Sequence, residues 1–412
     1  MKEHIKIGII GLGKRGRMLL SIIARMHDVT IAAVCDLYED RRIEAGKEVE
    51  KIAGNIPFST DNYKDILAME DIDAVIITAS WSSHANIAIE AMKGGKYVGS
   101  EVGGAYSVED CWELVKTYEQ TGTPCMMLEN CCYGREELMV LNMVRKGVFG
   151  EVVHCQGGYR HDLRAEVAFG KENRHYRLAN YQNRNCDNYP THALGPIAKI
   201  LDINRGNRMI SLVSVASKAA GLNEYILNKK GPDYYLSNYK FVQGDIVTTI
   251  IKCSHGQTIT ITLDTTLPRA YSRDFRVHGT KAMFMEENNS LFIDDMHNEF
   301  EFKWKEQWNN VENFRKEYEH PIWQDYKPEE DASHGGMDYL VLRAFFDSVK
   351  RQVQTPIDVY DMASWMCITP LSEQSIALGG QPVPVPDFTN GKWLNREPAP
   401  GGKYCLDRVA GE

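Results

Sequence analysis

A short apolar run that leads directly into a glycine-rich loop constrains this chain more than any other feature. Ile5–Ile10 is nearly all apolar, which indicates a parallel strand buried on both faces. Helical periodicity follows the loop, from Arg15 to about Met26. In such a strand–loop–helix unit, glycines permit a tight turn, close approach of the backbone to a pyrophosphate, and close packing of the helix on the strand. The sequence therefore predicts a dinucleotide site at Gly11, Gly13 and Gly16.

The residue that follows the second predicted strand bears on which dinucleotide is bound. That strand, Thr30–Cys35, ends at Asp36. A carboxylate at this position accepts hydrogen bonds from both hydroxyls of the adenosine ribose and repels a 2′-phosphate, which favours NAD over NADP. NADP remains the alternative, because four nearby cations are able to accommodate the extra phosphate: Lys14, Arg15, Arg41 and Arg42.

Strand and helix patterns alternate through the first third of the chain and change after about residue 150. The alternation predicts a doubly wound parallel sheet, with further strands at Ala74–Thr78, Tyr97–Gly99 and Cys125–Leu128 and helices around His84–Met92 and Val108–Gln120. The later strands are joined by hairpin-sized turns such as His255-Gly256, which predicts a large, mainly antiparallel sheet. These strands are Val152–Tyr159, Ile210–Lys218, Asp245–Cys253, Gln257–Thr266, Phe275–Gly279, Ala282–Glu286, Leu291–Ile293 and Glu299–Trp304.

The predicted fold is thus an α/β Rossmann domain followed by an α+β domain with a large, mainly antiparallel open sheet. We predict an NAD-binding domain over 1–130, a substrate and oligomerisation domain over 131–378, and a Pro/Gly-rich tail over 379–412 that wraps the surface. An uncovered sheet face of this size would be a large apolar patch, so we expect a homo-oligomer through the second sheet. Three helices and one long loop or lid are also predicted: helices at Tyr189–Leu201, His334–Arg351 and Val359–Leu378, and the loop at Trp304–Ser333.

Charge, apolar runs and cysteines exclude several classes of protein. A formal net charge of −9 over 412 residues argues against a nucleic-acid binder, and no apolar run has the length of a membrane span. The first apolar run is too short for a signal peptide, so we expect a cytoplasmic protein whose ten cysteines stay reduced. No metal is expected, because the following histidines lack metal-ligand spacing: His161, His175, His278 and His334.

A phenol and an imidazole three residues apart are the clearest candidates for acid–base chemistry. Tyr189 and His192 are separated by Pro190-Thr191, and the proline stiffens the backbone between them. Polar side chains also follow three predicted strands, at the sheet edge where such folds bind ligands. They are Trp81, His84, Glu101 and Asn130. The alternatives are a core histidine for His192, a helix cap for His84 and a solvent-facing acid for Glu101.

Taken together, the fold and these motifs resemble a known family. The architecture resembles the Gfo/Idh/MocA superfamily of nicotinamide-dependent sugar enzymes, and within it residues 5–285 resemble glycoside hydrolase family 109. The most specific element is Tyr189-Pro190-Thr191-His192. The other segments are Trp81-x-x-His84, Glu101-Val102, Glu129-Asn130-Cys-Cys-Tyr133-Gly134 and Pro268-Arg269-x-Tyr271-Ser272-Arg273. Members of this family resemble α-N-acetylgalactosaminidases that use NAD⁺ without consuming it.

The resemblance implies roles for individual residues. It implies cofactor contacts from Lys14, Arg15, Asp36, Trp81, His84, Glu101, Val102 and Asn130. It implies sugar contacts from Tyr159, Arg177, Tyr189, His192 and Tyr271. Two departures from the wider superfamily matter: Val102-Gly103 stands where a Lys-Pro is frequent, and Asn188 where an aspartate is frequent. Both remove groups suited to net dehydrogenation and favour the glycosidase branch. The lack of an export signal is a third departure, since some relatives are exported.

The predicted chemistry explains why proton shuttles are needed beside a nicotinamide. Transient oxidation at C3 of the sugar makes the C2–H bond acidic, elimination then expels the C1 substituent, water adds at C1, and C3 is reduced again. We expect His192 to shuttle protons to and from the sugar hydroxyls. Tyr159 or Tyr189 is expected to remove the C2 proton if Arg177 lowers the phenol pKa. The alternatives are packing roles for the tyrosines and a surface ion pair for Arg177.

The leading hypothesis is therefore an NAD-dependent, redox-neutral glycosidase similar to an α-N-acetylgalactosaminidase. A net NAD(P)-dependent sugar dehydrogenase is the second hypothesis, and a non-catalytic sugar or NAD sensor is the third. Two segments are expected to shape the mouth of the pocket: Leu222–Phe241 and Trp304–Tyr326.

Overall fold

The first six strands of the chain form a parallel sheet in the computed structural model, which describes residues 1–297, 303–329, 332–398 and 402–408. They are β1 Ile5–Ile10, β2 Val29–Cys35, β3 Phe58–Thr60, β4 Ala74–Ile77, β5 Tyr97–Ser100 and β6 Cys125–Met127. Their order is β3-β2-β1-β4-β5-β6, the order of a doubly wound dinucleotide-binding fold. The predicted Rossmann fold is confirmed. The sequence did not reveal β3, because two of its three side chains are exposed and it has no apolar run.

Helices connect these strands and place the reversal of strand order between β1 and β4. They are α1 Lys14–Ala24, α2 Glu39–Ala53, α3 Tyr63–Leu67, α4 Trp81–Lys93 and α5 Val108–Thr121. In open sheets of this kind, ligands bind outside the carboxyl ends of the strands at the reversal. The glycine loop after β1 lies at that point.

The second sheet has eight strands and is antiparallel except at one pair. The strands are β7 Val152–Arg160, β8 Met209–Ala216, β9 Ile246–Cys253, β10 Thr258–Asp264, β11 Arg276–Gly279, β12 Ala282–Met285, β13 Ser290–Ile293 and β14 Val383–Pro384. Their order is β13-β12-β11-β7-β10-β9-β8-β14, and β7 pairs with β10 in parallel. The predicted mainly antiparallel sheet is confirmed. The tail does more than wrap the surface, because Val383 pairs with Leu212 and extends the sheet by one edge strand.

Some of the remaining helices pack on this sheet, and others pack on one another or on the first domain. They are α6 Arg135–Arg145, α7 Arg164–Ala168, α8 Arg177–Asn183, α9 Thr191–Ile200, α10 Gly221–Lys230, α11 Trp304–Gln307, α12 Glu312–Tyr318, α13 Pro321–Asp325, α14 Met337–Arg351, α15 Val359–Met366 and α16 Ile368–Ala377. Short 3₁₀ helices occur at Asn130–Tyr133, Ser333–Gly336 and Lys392–Leu394. Helices α9 and α16 pack on the second sheet, whereas α14 packs on α1.

Three predictions about the later elements were wrong or lie outside the described residues. The segment Trp304–Ser333 is not one loop, since it contains α11, α12 and α13, the last of which begins with Pro321 in its first turn. The predicted helix Val359–Leu378 is two helices, because Pro370 has no N–H to bond the carbonyl four residues earlier. The predicted strand Glu299–Trp304 lies outside the described residues, except that Trp304 begins α11.

The last third of the chain is tied to the Rossmann sheet by packing and by charge. A Cβ atom on Gly99 of β5 would lie 2.9 Å from Ile76 and 3.1 Å from the ring of Phe345 on α14, so a larger residue would have to displace these side chains. Arg343 of α14 donates to both carboxylate oxygens of Asp28, at 2.8 and 3.0 Å. No helix among the described residues has the length and apolar character needed to cross a membrane.

Candidate active site

A cleft of about 1380 Å³ runs along the carboxyl ends of the parallel strands and continues under the second sheet. Residues that follow all six strands line it: Gly11, Asp36, Asp61, Thr78, Glu101 and Asn130. Residues from the segment between β7 and α9 line the opposite side. The volume exceeds the roughly 300–1,000 Å³ of a typical small-molecule pocket. The cleft therefore has room for a dinucleotide and a second ligand.

The glycine loop has the geometry that a pyrophosphate site requires. Gly11 has φ +99°, and a Cβ atom there would lie 2.4 Å from the main-chain nitrogen of Ala79. A Cβ atom on Gly16 would lie 2.1 Å from the carbonyl oxygen of Gly11, so both positions require glycine. Helix α1 has no side-chain cap and no acidic residue in its first turn, so its N–H groups and the positive end of its dipole face the cleft. These residues fit a bound dinucleotide.

Two main-chain N–H groups fix the carboxylate of Asp36 at the edge of the cleft. Its carboxylate accepts hydrogen bonds from the main-chain N–H groups of Leu12 at 2.7 Å and Tyr38 at 2.9 Å. Of the cations able to accommodate a 2′-phosphate, Arg41 lies 3.7 Å from this carboxylate and Arg42 donates to the carbonyl of Asp36 at 2.7 Å. Because both arginines already interact with Asp36, the arrangement favours NAD. Lys14 also lines the cleft.

A clasp formed by Asp40, Tyr38, Arg41 and Arg174 closes over this end of the cleft. Arg174, from the segment before α8, donates to both carboxylate oxygens of Asp40, at 3.0 and 2.7 Å. The guanidinium groups of Arg174 and Arg41 lie 4.5 and 4.7 Å from the centre of the Tyr38 ring. The clasp joins the two sides of the cleft beside Asp36.

Trp81 and Gly103 explain one of the departures from the wider superfamily. The indole N–H of Trp81 donates to the carbonyl of Val102 at 3.0 Å. A Cβ atom on Gly103, which has φ +158°, would lie 2.4 Å from the indole. A proline, with φ fixed near −65°, does not fit there. The absence of a Lys-Pro pair is therefore coupled to the presence of Trp81.

Contacts within the cleft fix the conformation or the protonation of four predicted cofactor residues, which are His84, Glu101, Arg15 and Asn130. Burial lowers the pKa of His84 to about 4, and its Nε2 lies 3.0 Å from the carbonyl oxygen of Ala79, so the ring is neutral. The solvent-facing alternative for Glu101 is wrong, because this residue is only 6% exposed and accepts from Arg15 at 2.9 Å.

Asp338 connects two of the predicted cofactor residues and was not found from the sequence. Its carboxylate accepts from Arg15 at 2.7 and 2.8 Å and from Asn130 at 2.8 Å. Burial opposes ionisation, but hydrogen bonds from His334 and Arg15 hold the pKa of Asp338 well below its usual range. A charged carboxylate at the start of α14 therefore fixes both side chains. No local pattern reveals it, since 323 residues separate Asp338 from Arg15.

Four of the five residues predicted to contact the sugar come together at the inner end of the cleft. The ring centres of Tyr159 and Tyr189 are 4.3 Å apart, and that of His192 lies 4.8 Å from Tyr189. The Tyr189 hydroxyl lies 3.5 Å from His192 Nε2. The guanidinium of Arg177 lies 5.2 Å from the Tyr189 ring centre and 6.0 Å from that of Tyr159.

The fifth, Tyr271, stands at the rim. It is 51% exposed and does not line the cleft, and its ring meets the edge of His161 at 5.2 Å. Asn188, which replaces the aspartate of other superfamily members, points away from the cleft and donates to Gln243 at 2.6 Å.

Glu129 is a further candidate for a catalytic role. It belongs to one of the family-like motifs, but the sequence indicated no role for it. Its carboxylate lies 2.6 Å from His192 Nδ1, and it is fully buried. Burial raises its pKa, but the neighbouring His192 outweighs this and holds the pKa of Glu129 below its usual value. The pair therefore resembles the carboxylate–imidazole arrangement that orients a catalytic histidine. Its position directly before Asn130, at the end of β6, was the available signal.

Arg177 does not lower the tyrosine pKa values as expected. Burial raises the pKa of both Tyr159 and Tyr189, and Arg177 offsets this only in part. The condition set for a tyrosine base, a phenol pKa lowered below its usual value by Arg177, is therefore not met. The surface alternative for Arg177 also fails, because its 3.2 Å ion pair with Glu166 lies inside the cleft and its side chain is 11% exposed.

One group of ligand-type atoms among the described residues has spacing that a metal ion could use. These atoms, on Glu129, Cys131 and His192, lie within 4.8 Å of one another. Burial raises the pKa of the Cys131 thiol well above its usual value, so the sulfur stays protonated. Glu129 and His192 already bond each other, so the group has the chemistry of an acid–base pair. The expectation of no metal remains a prediction.

The two halves of the chain match different family descriptions. Residues 5–129 match "Oxidoreductase family, NAD-binding Rossmann fold". Residues 133–395 match "Glycosyl hydrolase 109, C-terminal domain".

Similar proteins extend over nearly the whole chain. A glycosyl hydrolase family 109 protein of Stenotrophomonas maltophilia is 41% identical over 98% of this chain and 93% of its own length. An α-N-acetylgalactosaminidase of Tannerella forsythia is 38% identical over 96% of this chain and 88% of its own.

Solved structures share the fold at much lower identity. Levoglucosan dehydrogenase in complex with NADH and L-sorbose has a TM-score of 0.68 and 16% identity, over 94% of this chain and 100% of its own. Scyllo-inositol dehydrogenase of Lactobacillus casei has a TM-score of 0.65 and 14% identity, over 93% and 99%. At these identities the likeness establishes the fold alone.

Proposed function

Because this chain belongs to glycosyl hydrolase family 109 and is an NAD-dependent glycosidase, we propose that it hydrolyses α-N-acetylgalactosaminides by a redox-neutral route. The observation that supports this most is the acid–base cluster of Glu129, His192, Tyr189 and Tyr159 at the inner end of a dinucleotide cleft. The relative named α-N-acetylgalactosaminidase supports the choice of sugar.

When bound, NAD supplies the hydride chemistry by which C3 of the sugar is oxidised and later reduced. The chain supplies binding and orientation. We assign the pyrophosphate to the loop of Gly11, Gly13 and Gly16 with Lys14, and the ribose to Asp36. The nicotinamide end is assigned to residues already held in place by one another: Arg15, Trp81, His84, Glu101, Val102 and Asn130.

His192 is assigned to the proton of the C3 hydroxyl. Its Nε2 faces the cleft beside the Tyr189 hydroxyl, while Nδ1 is bonded to Glu129. A carboxylate on Nδ1 fixes the tautomer that leaves Nε2 free to accept a proton, and stabilises the imidazolium that forms. No intervening redox group of the protein is required for this step.

Tyr159 is assigned to the C2 proton, and Arg177 to binding of the acetamido group. Tyr159 suits this role better than Tyr189, because the Tyr189 hydroxyl is next to the proton acceptor of the other step. Arg177 is oriented by Glu166 and by three aromatic rings, so its guanidinium group has a fixed direction. Tyr271 at the rim is assigned to the outer face of the sugar.

Incubation with nitrophenyl glycosides in deuterated water tests this function. We expect release of the aglycone from the 2-acetamido-α-galactoside, incorporation of deuterium at C2 of the free sugar, and no net rise of NADH. A steady rise of NADH with intact glycosidic bonds would instead establish a net dehydrogenase. Binding of both ligands without any turnover would establish a sensor.

We also propose a homo-oligomer in which a second copy covers the open face of the second sheet. Helices α9 and α16 cover one face, whereas Ile250 and Val215 on the other are 51% and 56% exposed. Val213 pairs with Ile250 across β8 and β9 and therefore shares this face. Exposed apolar groups at this density indicate an interaction surface. Light scattering of the wild type and of Ile250→Lys tests the proposal, and a monomeric wild type would refute it.

We also propose domain boundaries at residues 130 and 378 and a cytoplasmic location for the protein. Nine of the ten cysteines are buried thiols, which suits a reducing compartment. Fractionation of the source cells with an antibody to the protein tests the location, and recovery outside the cytoplasm would refute it.

A further inference from the structure

A second tyrosine–histidine couple lies in the cleft, apart from Tyr189 and His192. The Tyr159 hydroxyl lies 3.1 Å from Nδ1 of His161, and the two rings meet edge to face at 5.7 Å. Residues two apart on a strand share one face of the sheet, and the N–H of His161 donates to the carbonyl of Asp264 at 3.0 Å, which holds the residue at the end of β7. Both side chains line the cleft.

The phenol of Tyr159 needs a base if it is to act as one. Burial raises its pKa, and Arg177 lowers it only in part, so the hydroxyl is protonated at neutral pH. The pKa of His161 is lowered, first by burial and then by Arg177, so its ring is neutral at neutral pH. In the tautomer with its hydrogen on Nε2, Nδ1 accepts from the Tyr159 hydroxyl. The other charged or titratable groups that act on His161 are Glu166, Asp162 and His192.

The two couples have separate partners. The rings of His192 and Tyr159 meet edge to face at 5.5 Å, but Nδ1 of His192 hydrogen-bonds Glu129 and its Nε2 lies beside the Tyr189 hydroxyl. The hydroxyl of Tyr159 is instead paired with His161, whose ring also contacts Tyr271. The reaction in the proposed function needs one proton moved at the C3 hydroxyl and another at C2. The cleft offers one couple for each.

We propose that His161 takes the proton of the Tyr159 hydroxyl, so that Tyr159 and His161 together serve C2 while Glu129 and His192 serve C3. His161 acts through Tyr159 and is therefore a positioning residue and proton relay. The inference rests on the proposed function. It gives a role to His161, which the sequence singled out only as one of four histidines without metal-ligand spacing.

The proton balance of the step is closed within the couple. Transfer from the Tyr159 oxygen to His161 Nδ1 gives a phenolate and an imidazolium. The phenolate then takes the C2 proton, the C2–H electron pair forms the C1–C2 double bond of the 3-oxo sugar, and the C1–O bond breaks toward the aglycone. The imidazolium proton neutralises the departing oxygen, directly or through water. Tyr159 and His161 end the elimination in their starting protonation states, and addition of water reverses the sequence.

Isotope effects on the holoenzyme separate this role from a structural one. We expect His161→Gln to lower kcat for the nitrophenyl 2-acetamido-α-galactoside by about 100-fold, with little change in KM. The isotope effect from deuterium at C2 should increase and that from deuterium at C3 should decrease, because only the C2 step has slowed. His154→Gln is the matched control, since it lies on the same strand but outside the cleft. A His161→Gln enzyme with unchanged kcat, or with both isotope effects altered equally, would overturn the proposal.

Two further measurements keep the proposal testable if the glutamine variant is damaged. In His161→Ala, imidazole added to the buffer should restore activity in proportion to its concentration, whereas His154→Ala should not respond. The 3-oxo form of the sugar, supplied directly, should exchange its C2 hydrogen with deuterated water on the wild type and about 100-fold more slowly on His161→Gln. Equal exchange on both enzymes would refute the relay.

These arms also distinguish failure of the relay from failure of the proposed function. If the wild type releases no aglycone, the glycosidase proposal fails, while loss of C2 exchange in His161→Gln would still establish the relay. If the wild type is an active glycosidase and His161→Gln matches it, only the relay fails.

Discussion

At the scale of single residues, the site is defined by which partner each ionisable group has. His192 has a buried carboxylate on one nitrogen, and Tyr159 has a neutral imidazole at its hydroxyl. His84 is neutral because it is buried beside a carbonyl oxygen. The same side-chain types therefore have different hydrogen-bond partners within one cleft, as a sequence of distinct proton transfers requires.

Replacement of Glu129 tests the first of these partners. We expect Glu129→Gln to lower kcat for aglycone release by about 100-fold, because an amide cannot stabilise the imidazolium of His192. The NAD content of the purified enzyme should stay the same, since Glu129 does not line the cofactor cleft. Glu113→Gln, at an exposed position on α5, is the control. Undiminished turnover in Glu129→Gln would show that His192 does not depend on this carboxylate.

A buried neutral histidine makes the fold sensitive to acid. Burial lowers the pKa of His320 to about 4, against a usual 6.5. Between these two values the unfolded chain binds a proton that the folded chain does not, so stability is complete above about pH 6.5 and falls as the pH drops toward 4. The full effect is about 3 kcal/mol for this one group.

His320→Asn tests that effect while keeping the helix cap. The His320 ring accepts from the N–H of Ile322 at the start of α13, and an asparagine oxygen does the same. Urea unfolding at pH 7 and pH 4.5 should show a smaller loss of free energy of unfolding for the variant than for the wild type. Equal losses in both proteins would mean that His320 is protonated in the folded state.

At the scale of elements, the clasp between α2 and the segment before α8 joins the two sides of the cleft beside Asp36. Arg174 reaches Asp40 at the first turn of α2 and covers Tyr38 with Arg41. Exposed ion pairs and cation–π contacts are individually weak. Their effect here falls on opening of the cleft, because the contacts bridge its two sides.

Removal of the clasp should therefore change how fast NAD leaves. We expect Arg174→Ala to increase the dissociation rate of NAD several-fold, with little change in turnover of the saturated enzyme. The exchanged pair, Asp40→Arg with Arg174→Asp, should restore slow dissociation, whereas either single reversal should not. Release of bound NADH into excess NAD, followed by fluorescence, measures the rate. Identical rates in all variants would exclude the clasp from cofactor retention.

Element boundaries show what local patterns contain and what they lack. The strands β1 and β2 and the glycine loop were predictable because apolar runs and glycine spacing are local signals. Helix α15 ends where it does because of Pro370, a signal that was present but was not used. The strand β14 could not be predicted, since two residues acquire their structure only by pairing with Leu212 far along the chain.

Some residues of the site could be predicted from local patterns in the sequence, and others could not. Tyr189 and His192 were predictable from their spacing, whereas Asp338 and His161 acquire their roles from the folded arrangement. Arg15 and Asp338 are 323 residues apart, and His161 became significant only when the structure placed its nitrogen beside the phenol of Tyr159. Proximity of this kind depends on the tertiary fold and has no counterpart in a single sequence.

At the scale of the whole molecule, a buried network of charges fixes the helices behind the site. Asp361 on α15 accepts from Lys199 on α9 at 2.7 Å and from Arg205 at 2.7 and 3.0 Å. All three side chains are at most 5% exposed. A buried charge that loses its partner is strongly destabilising, typically by about 3–5 kcal/mol.

We therefore expect Asp361→Asn to lower the free energy of unfolding by about 3 kcal/mol. Because α9 also contains His192, the same variant should make the surroundings of the His192 ring less uniform. Broader nuclear magnetic resonance signals from that ring would show this change. Asp347→Asn on α14, where the ion pair with Arg351 is exposed, is the control. A loss no larger than that of the control would mean that the network is dispensable for folding.

The contact between Arg15 and Asp338 also bears on the order in which the protein is made. A ribosome that has completed the first 130 residues has synthesised the glycine loop, Asp36 and Asn130, yet the carboxylate that holds Arg15 and Asn130 lies in a part of the chain still to be translated. The N-terminal half can form its strands early, but it cannot hold Arg15 and Asn130 in place by itself. These two side chains become fixed only after α14 has been made and has docked on α1.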